Sequence, residues 1–410
     1  MNKQLLTKYA RLVVEVGVNL QQDQILVINS PIECAEFARM LAEKAFAAGA
    51  HDVAVSWGDE LLAHIRYAGG RKQLFTEFPE WRQKFYTDYA EQGAAFVSIA
   101  ASDPEIFQDI EPEKLQLAQQ AAGAALLEYR SRLMNNRNTW CVVSVPTKGW
   151  AKKVFPAVSE EEAVDKLWKA IFRTVRIDEG HDPVAAWHEH IAFLQKAAGF
   201  MNAHAFRRLH YTNSLGTDLV VELPDGHIWA GGAEKSELGV PFAANMPTEE
   251  IYTLPKREGV NGTVVASKPL HFNGNLIEGF RLTFKDGRVT AYSAEKGEDI
   301  LKGLLATDEG ASYLGEVALV PYDSPISQSG ILFYNTLFDE NASCHLALGK
   351  AYPTCIRDGE TMDSVTLIQH GVNDSLLHED FMIGTRDLNI VGIMADGRKV
   401  QVFRDGNFAF

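Results

Sequence analysis

The sequence predicts an α/β N-terminal domain with an open parallel sheet, followed by a β-rich α+β C-terminal domain. In the first half of the 410 residues, short β-rich runs alternate with helical segments, which is typical of parallel βαβ units. From about Phe206 onward, short β-rich runs are separated by Asp-Gly pairs, a strong local signal for β-hairpins. The length also favours more than one domain. We therefore place the domains at residues 1–190 and 191–410.

Four strands are predicted in the first half, separated by helices. The strands are QILVIN, DVAVSW, AAFVSIA and TWCVVSVP, which begin at Gln24, Asp52, Ala94 and Thr139. Apolar residues at helical spacing predict helices over about 3–19, 31–48, 72–92, 113–134, 159–175 and 183–198. No G-x-G-x-x-G follows the first strand, and no G-x-x-x-x-G-K-[ST] occurs. These absences argue against a nucleotide site and favour a scaffold role for this domain.

The second half contains three Asp-Gly pairs that predict hairpins. Asp225-Gly226 lies between DLVVEL and HIWAG, Asp286-Gly287 between RLTF and RVTAY, and Asp396-Gly397 between VGIM and KVQVF. One helix, over about 296–306, interrupts the predicted strands.

Composition excludes several classes of partner. The 39 basic and 54 acidic residues give a formal net charge of −15, which argues against binding nucleic acid or anionic membranes. No apolar run approaches the roughly 18 residues of a membrane span, and charges interrupt the N-terminal segment where a signal peptide needs an apolar run. The four cysteines form no C-x-x-C pair and are interpreted as reduced thiols. We expect a cytoplasmic protein.

The stretch LFDENASCHLALGKAY, from Leu337 to Tyr352, concentrates polar groups among apolar neighbours. Its polar side chains include a thiol, an imidazole, a phenol, an amide and two carboxylates: Asp339, Glu340, Asn341, Cys344, His345 and Tyr352. Burying charged groups is costly unless they are paired or bound to a metal. This stretch is therefore a candidate centre for chemistry.

Three other segments carry polar residues in apolar surroundings. In NMPTEEIYTLP, Glu249 and Glu250 are adjacent, so on an extended backbone only one of them points into a given site. Glu316 is the only charge in YLGEVALVP, and His378 and Asp380 in LLHEDFMIG would share one face of a strand. A mixture of carboxylates and imidazoles suits divalent ions such as Zn²⁺, Co²⁺ or Mn²⁺. The combined set is Glu250, Glu316, Glu340, His345, His378 and Asp380; spacing alone leaves open whether it forms one site.

Two further patterns are given structural interpretations. His188, Glu189 and His190 form an HEH triplet, but residues two apart on a helix point to different sides. The triplet is not the H-E-x-x-H zinc motif, and we interpret it as a solvated helix face. Cys344 adjoins His345, but sequence neighbours rarely form a nucleophile–base pair, and no G-x-S-x-G is present. Cys344 is interpreted as structural.

The segments MPTEEIYTLP, GEVALVP, LFDENASCHLALGKAY and LLHEDFMIG resemble, in this order, the motifs of the thermophilic metallo-aminopeptidase family that includes aminopeptidases T, S and II. The resemblance extends over essentially the whole chain. It implies an α/β N-terminal domain, a C-terminal domain with two divalent metal ions, and a homodimer. The metal ligands it implies are Glu250, Glu316, His345, His378 and Asp380, with Glu340 as a further candidate; Tyr352 matches the active-site tyrosine.

The function that follows is release of N-terminal amino acids from peptides with a free N-terminus, through a water molecule activated by a dinuclear metal centre. Two divalent ions per chain are expected, from among Zn²⁺, Co²⁺, Mn²⁺ and Mg²⁺. Glu316 would be both a ligand and a proton shuttle, and Tyr352 would donate a hydrogen bond to the oxyanion. The alternatives are another dinuclear metallohydrolase, such as a dipeptidase or amidase, and a non-enzymatic binding protein with a structural metal.

Overall fold

The structure, a computed structural model, describes residues 2–272 and 275–410 and divides into two compact units. The first unit contains the chain up to Glu189 together with Ala233–Pro247 and Leu332–Leu337. The second contains His190–Gly232, Thr248–Ile331 and Phe338–Phe410. Two later segments thus return to the first unit. Contiguous domains at 1–190 and 191–410 stay a prediction.

The first unit is built around a five-stranded parallel sheet, which confirms the predicted open parallel α/β architecture. Its strands in spatial order are Asn245–Met246, Trp140–Val143, Ala95–Ile99, Ile25–Pro31 and Asp52–Gly58. The helices of this unit are Lys3–Leu12, Val13–Gly17 (a π-helix), Ala35–Ala47, Glu60–Gly69, Glu80–Glu91, Pro112–Ala125, Leu127–Met134, Lys148–Val154 and Glu160–Thr174, with short 3₁₀ turns at Ile32–Cys34 and Lys72–Phe75. A small ribbon pairs Glu234–Lys235 with Pro241–Phe242.

Glu160–Thr174 illustrates why these helices form. Ser159 caps its N-terminus by accepting a hydrogen bond from the Glu162 backbone N–H at 3.3 Å. Three glutamates in the first turn complement the helix dipole. Leu167 and Ile171, four residues apart, are fully buried and supply the apolar stripe that packs the helix on its unit.

The helix predictions for the first unit differ from the structure at several places: Lys148–Val154 and Glu60–Gly69 are not among the predicted helices, and the regions predicted as single helices over 113–134 and 72–92 are each divided. In Glu60–Gly69 none of the residues is buried, and its apolar residues Leu61, Leu62 and Ile65 are exposed. The predicted helix over 72–92 is instead a 3₁₀ turn, Lys72–Phe75, and a separate helix, Glu80–Glu91. Pro79 separates them, since a proline disfavours helical backbone in the residue before it.

The second unit contains two antiparallel sheets, which confirms the predicted β-rich α+β character. The larger sheet has eight strands in the order Arg288–Ser293, Arg281–Lys285, Val260–Val265, Asp218–Glu222, Arg208–Thr212, Asn389–Ile393, Lys399–Arg404 and Asn407–Phe408. The smaller sheet has five strands in the order His378–Met382, His345–Gly349, Leu314–Leu319, Ile251–Thr253 and Ala230–Gly231. Leu270–Phe272 pairs with Asn275–Ile277 in a separate ribbon.

The remaining helices are shorter, apart from one that contains the division between the units. They are Pro183–His204, Glu298–Leu305, Pro325–Ser329, Thr336–Asp339 and Ser364–Gln369, with 3₁₀ turns at Gly310–Ser312, Glu340–Ala342, Pro353–Cys355 and Gly359–Thr361. Of the helices formed by the described residues, none combines the length and hydrophobicity that crossing a bilayer requires.

Two of the three predicted Asp-Gly hairpins are confirmed, and one is wrong. Asp286-Gly287 joins paired strands, and both residues have positive φ, 48° and 81°, as a type I′ turn requires. A Cβ on Gly287 would lie 1.7 Å from the Arg257 carbonyl oxygen. Asp396-Gly397 likewise connects two paired strands. Asp225-Gly226 joins no hairpin, because the residues after it pair with Ile251 in the other sheet.

Candidate metal centre

The five-stranded sheet of the second unit brings the candidate residues onto one face. Glu316 lies opposite Ala347, and Ala347 lies opposite Asp380, and directly opposed residues project from the same side of a sheet. His345 is two residues before Ala347, and His378 is two residues before Asp380, so both imidazoles project from this same face. Residues from three segments of the sequence therefore converge because of strand register.

Glu250 reaches the same face from a fourth segment. Tyr252 lies opposite Ala318, which is two residues beyond Glu316 and so projects from the same side. Glu250 is two residues before Tyr252 and is directed to that side as well. Its Oε2 is 3.2 Å from Nε2 of His345.

The adjacent glutamate is directed elsewhere. Glu249 is buried, and its Oε2 is 3.7 Å from Nε2 of His190, which is also buried. The alternation of an extended segment thus sends Glu249 and Glu250 to different environments. Of the two, Glu250 is the one that enters the cluster.

The donor atoms form two groups of three that share Glu316. In the first group, Nε2 of His345 is 3.2 Å from Glu250 Oε2 and 3.7 Å from Glu316 Oε1. In the second group, Nε2 of His378 is 3.5 Å from Glu316 Oε2 and 3.6 Å from Asp380 Oδ1. Within each group, all the candidate ligand atoms lie within 4.8 Å of one another. Glu316 therefore presents one oxygen to each imidazole.

Backbone carbonyl groups orient both imidazoles. Nδ1 of His345 donates to the carbonyl oxygen of Ser343 at 3.0 Å, and Nδ1 of His378 donates to that of Lys350 at 2.7 Å. A carbonyl oxygen only accepts, so each Nδ1 carries the proton. Each Nε2 is thereby left facing the carboxylates, which is the arrangement typical of metal-ligating histidines.

Burial and mutual charge shift the pKa values in this cluster. Glu316 is 6% exposed and His345 is 1% exposed, and burial raises the pKa of Glu316. Burial would lower the pKa of both imidazoles, but their carboxylate neighbours raise that of His345 well above its usual range and that of His378 to about 9. Burial would raise the pKa of Asp380, but the close imidazoles lower it. A divalent cation could replace the protons that these pairs hold.

Glu340 lies in the same electrostatic environment but outside the two groups. Burial raises its pKa well above the usual range, and the charges of Glu250 and Asp380 raise it further. Among the residues that the structure describes, neither three-donor group includes Glu340. The amide of Asn341 donates to Glu340 Oε1 at 3.4 Å. Its role as a ligand stays a prediction.

Tyr352 borders the cluster through ring contacts. Its ring centroid is 4.8 Å from that of His378 and 6.3 Å from that of Tyr252. Burial raises the pKa of Tyr352 above its usual range, and the charges of Glu316 and Asp380 add to the shift. The phenol therefore remains protonated at neutral pH and can donate a hydrogen bond.

The residues of this cluster fit a divalent metal. Glu250 Oε2 and Asp380 Oδ1 are buried, and among the described residues no well-directed hydrogen bond reaches either oxygen. Leaving a buried polar atom unsatisfied costs about 1–3 kcal/mol, and more when it is charged. A cation between the carboxylates and the imidazole Nε2 atoms would satisfy these oxygens, and this mixture of donors suits borderline divalent ions.

The donor set places this chain in a class of protein, those able to hold divalent metal ions among buried carboxylates and imidazoles. The sequence profile of the thermophilic metalloprotease (M29) family matches residues 2–408. The chain belongs to that family, so it is a peptide hydrolase, and its family implies divalent metal cofactors. The predicted family resemblance is confirmed.

Individual relatives agree over their whole length. Aminopeptidase 2 of Geobacillus stearothermophilus is 51% identical over 405 residues, covering 99% of this chain and 98% of the relative. Aminopeptidase AmpS of Bacillus subtilis is 48% identical over 407 residues, covering 99% of each. The structure of wild-type AmpT from Thermus thermophilus superposes with a TM-score of 0.93 at 40% identity, and all of each chain is covered.

A buried polar residue, His190, lies next to the segment that carries Glu250. His188 and Glu189 are exposed as predicted, but the interpretation of His190 as solvated is wrong, because it is buried against Thr248 and Glu249. Positions two apart on a helix differ by about 200°, so one side of the triplet faces inward. The local sequence does not determine which side of the helix faces the interior.

Cys344 has a structural environment, as interpreted from the sequence. It is fully buried, and its Sγ donates to the Val320 carbonyl oxygen at 3.3 Å. Burial raises the pKa of the thiol to about 12, so it is not a thiolate near neutral pH.

Proposed function

We propose that this protein is a metal-dependent aminopeptidase that releases N-terminal amino acids from peptides by means of two divalent metal ions. The proposed ligands are Glu250, Glu316, Glu340, His345, His378 and Asp380. The observation that carries the proposal is the position of Glu316, whose two oxygens face two separate imidazole–carboxylate groups. A carboxylate in this position could contribute a ligand to either group. The names of the relatives, all aminopeptidases, support the choice of substrate.

The chain's own residues would divide the work of hydrolysis. When bound, divalent ions would lower the pKa of a water molecule and polarise the scissile carbonyl. One carboxylate oxygen of Glu316 would accept the proton that the attacking water loses. Tyr352, protonated and beside His378, would donate its phenolic O–H to the oxygen that becomes negatively charged in the tetrahedral transition state.

A comparison of free and N-acetylated peptides tests the proposed specificity. We expect the metal-loaded enzyme to release the first residue of an unblocked tripeptide, and to act on its N-acetylated counterpart roughly 10²-fold or more slowly, since a site that recognises an amine rejects analogues that lack it. Chromatography of the products distinguishes the alternatives. Cleavage of dipeptides alone would indicate a dipeptidase, internal cleavage of blocked peptides an endopeptidase, and binding without hydrolysis a non-enzymatic protein.

Replacing Tyr352 with phenylalanine tests the oxyanion donor. Loss of one such donor typically lowers kcat by about 10²–10³-fold, and we expect an effect of that size with metal content unchanged. Steady-state kinetics and elemental analysis of the same preparation provide the measurement. If turnover stays within a few-fold of wild type while metal content is unchanged, Tyr352 has no catalytic role.

The cellular setting belongs to the same proposal. A homodimer in the cytoplasm is proposed from the family resemblance and from the cysteines. The structure has Cys34, Cys141, Cys344 and Cys355 all buried and unbonded to one another, which supports a reducing compartment.

A further inference from the structure

We propose that His190 is a positioning residue for Glu250, and that it sets the affinity of the centre for metal. This inference rests on the proposed function, since it takes Glu250 to be a metal ligand. His190 lies on the helix Pro183–His204, in the HEH triplet that the metal centre does not use. It is 8% exposed.

The imidazole of His190 binds the backbone just before the ligand. Its Nε2 lies 2.7 Å from the carbonyl oxygen of Thr248. Because a carbonyl oxygen only accepts, Nε2 must carry the proton and donate it. The contact is between buried groups, since Thr248 is also buried, and a hydrogen bond shielded from water has no solvent molecule to replace it.

The other end of the same peptide group is held from a different segment. The carbonyl of Thr248 and the N–H of Glu249 belong to one planar unit. That N–H donates to Oδ1 of Asn341 at 2.8 Å, and Asn341 has no exposed surface. His190 thus donates a hydrogen bond to the oxygen of this peptide group, and Asn341 accepts one from its N–H. The peptide plane cannot rotate without breaking a buried hydrogen bond.

The orientation of this plane determines where the next side chains point. Glu249 is directed toward His190, and Glu250 is directed toward His345 on the other side of the extended segment. Loss of the His190 donor would leave the Thr248 carbonyl buried and unsatisfied. Rotation of the plane would relieve that cost and displace Glu250 from the other donors of its group.

Near-isosteric substitutions at this position separate the hydrogen bond from simple packing. Methionine and glutamine have similar size and flexibility, but only glutamine has an N–H donor. Removing an outer partner of a metal ligand commonly weakens metal binding by about 10–100-fold. We therefore expect His190→Met to raise the Kd for Zn²⁺ at least about tenfold, and His190→Gln to stay within about threefold of wild type.

The measurement is competition for Zn²⁺ between the metal-free full-length chain and a chromogenic chelator, with thermal unfolding of the metal-free chain recorded for each variant. The matched control is His188→Met on the exposed side of the same helix, which should leave the Kd unchanged.

A merely structural histidine would lower the unfolding temperature in His190→Met without changing the Kd for Zn²⁺, and that result would overturn the inference. Equal loss of affinity in His190→Met and His190→Gln would also overturn it. If His190→Met does not fold, His190→Leu, which also lacks an N–H donor, replaces it: a tenfold or greater rise in the Kd supports the inference, and an unchanged Kd contradicts it.

A parallel variant keeps the two proposals distinguishable. Glu250→Gln should weaken Zn²⁺ binding by more than His190→Met does. If Glu250→Gln binds Zn²⁺ as wild type does, the proposed ligand set fails and the role of His190 fails with it. If Glu250→Gln loses affinity while His190→Met retains it, only the role of His190 is wrong.

Discussion

Replacing Glu316 with glutamine is expected to lower peptide hydrolysis by about 10²–10⁴-fold, the usual range for loss of a general acid–base group, and to reduce the bound metal. The reason is its shared position: its two oxygens face His345 and His378 at 3.7 and 3.5 Å. An amide keeps the shape of the side chain but removes the negative charge and the ability to accept a proton. Both proposed groups would therefore be weakened by one substitution.

Kinetics and elemental analysis on the same preparation check this prediction. Glu379→Gln is a matched control, because Glu379 lies between two candidate ligands on the strand His378–Met382 but projects from the opposite face. It should retain the metal content of wild type. Full activity with full metal content in Glu316→Gln would remove Glu316 from the mechanism. Loss of activity with metal retained would limit its role to proton transfer.

Removing the divalent metal is expected to abolish hydrolysis and to destabilise the second unit, with both effects reversed by Co²⁺, Mn²⁺ or Zn²⁺. Three carboxylates, Glu250, Glu316 and Asp380, share one face with two imidazoles. Without a cation, these groups depend on protons and on one another for compensation. A ligand present at 100 times its Kd stabilises the native state by about 2.7 kcal/mol.

Thermal unfolding and activity measured with a chelator, and again after metal is restored, test this prediction. The midpoint of unfolding should fall on chelation and recover with the metal. Dialysis against buffer without a chelator controls for handling losses. Hydrolysis that resists chelation, with no change in the unfolding midpoint, would contradict a catalytic metal centre.

Local periodicity accounts for what could be predicted about the site. His378 and Asp380 are two residues apart in a β-rich run, so a strand had to direct both to one face. The same rule excluded either Glu249 or Glu250. Asp286-Gly287 was predictable because few other pairs adopt positive φ at both positions of a tight turn. These conclusions depend only on neighbours along the chain.

Other features depend on partners distant in sequence. Asn245–Met246 adds a fifth strand to the parallel sheet by pairing with Trp140–Val143, although about one hundred residues separate them along the chain. Asp225-Gly226 has the composition of a hairpin turn, but the strand after it, Ala230–Gly231, pairs with Ile251–Thr253 in the other sheet. The local sequence does not determine which strands pair, because pairing depends on which strand edges remain available when the whole unit is packed.

The sequence by itself determined the fold class, the segments that carry the polar groups, and the kind of donor that each supplies. Only the tertiary structure decided that Glu316 stands between two imidazoles, that Glu250 and not Glu249 joins them, and that His190 faces inward. The physical reason is that side-chain direction follows from local backbone geometry, whereas proximity follows from strand register and helix rotation, which the packing of the complete unit sets.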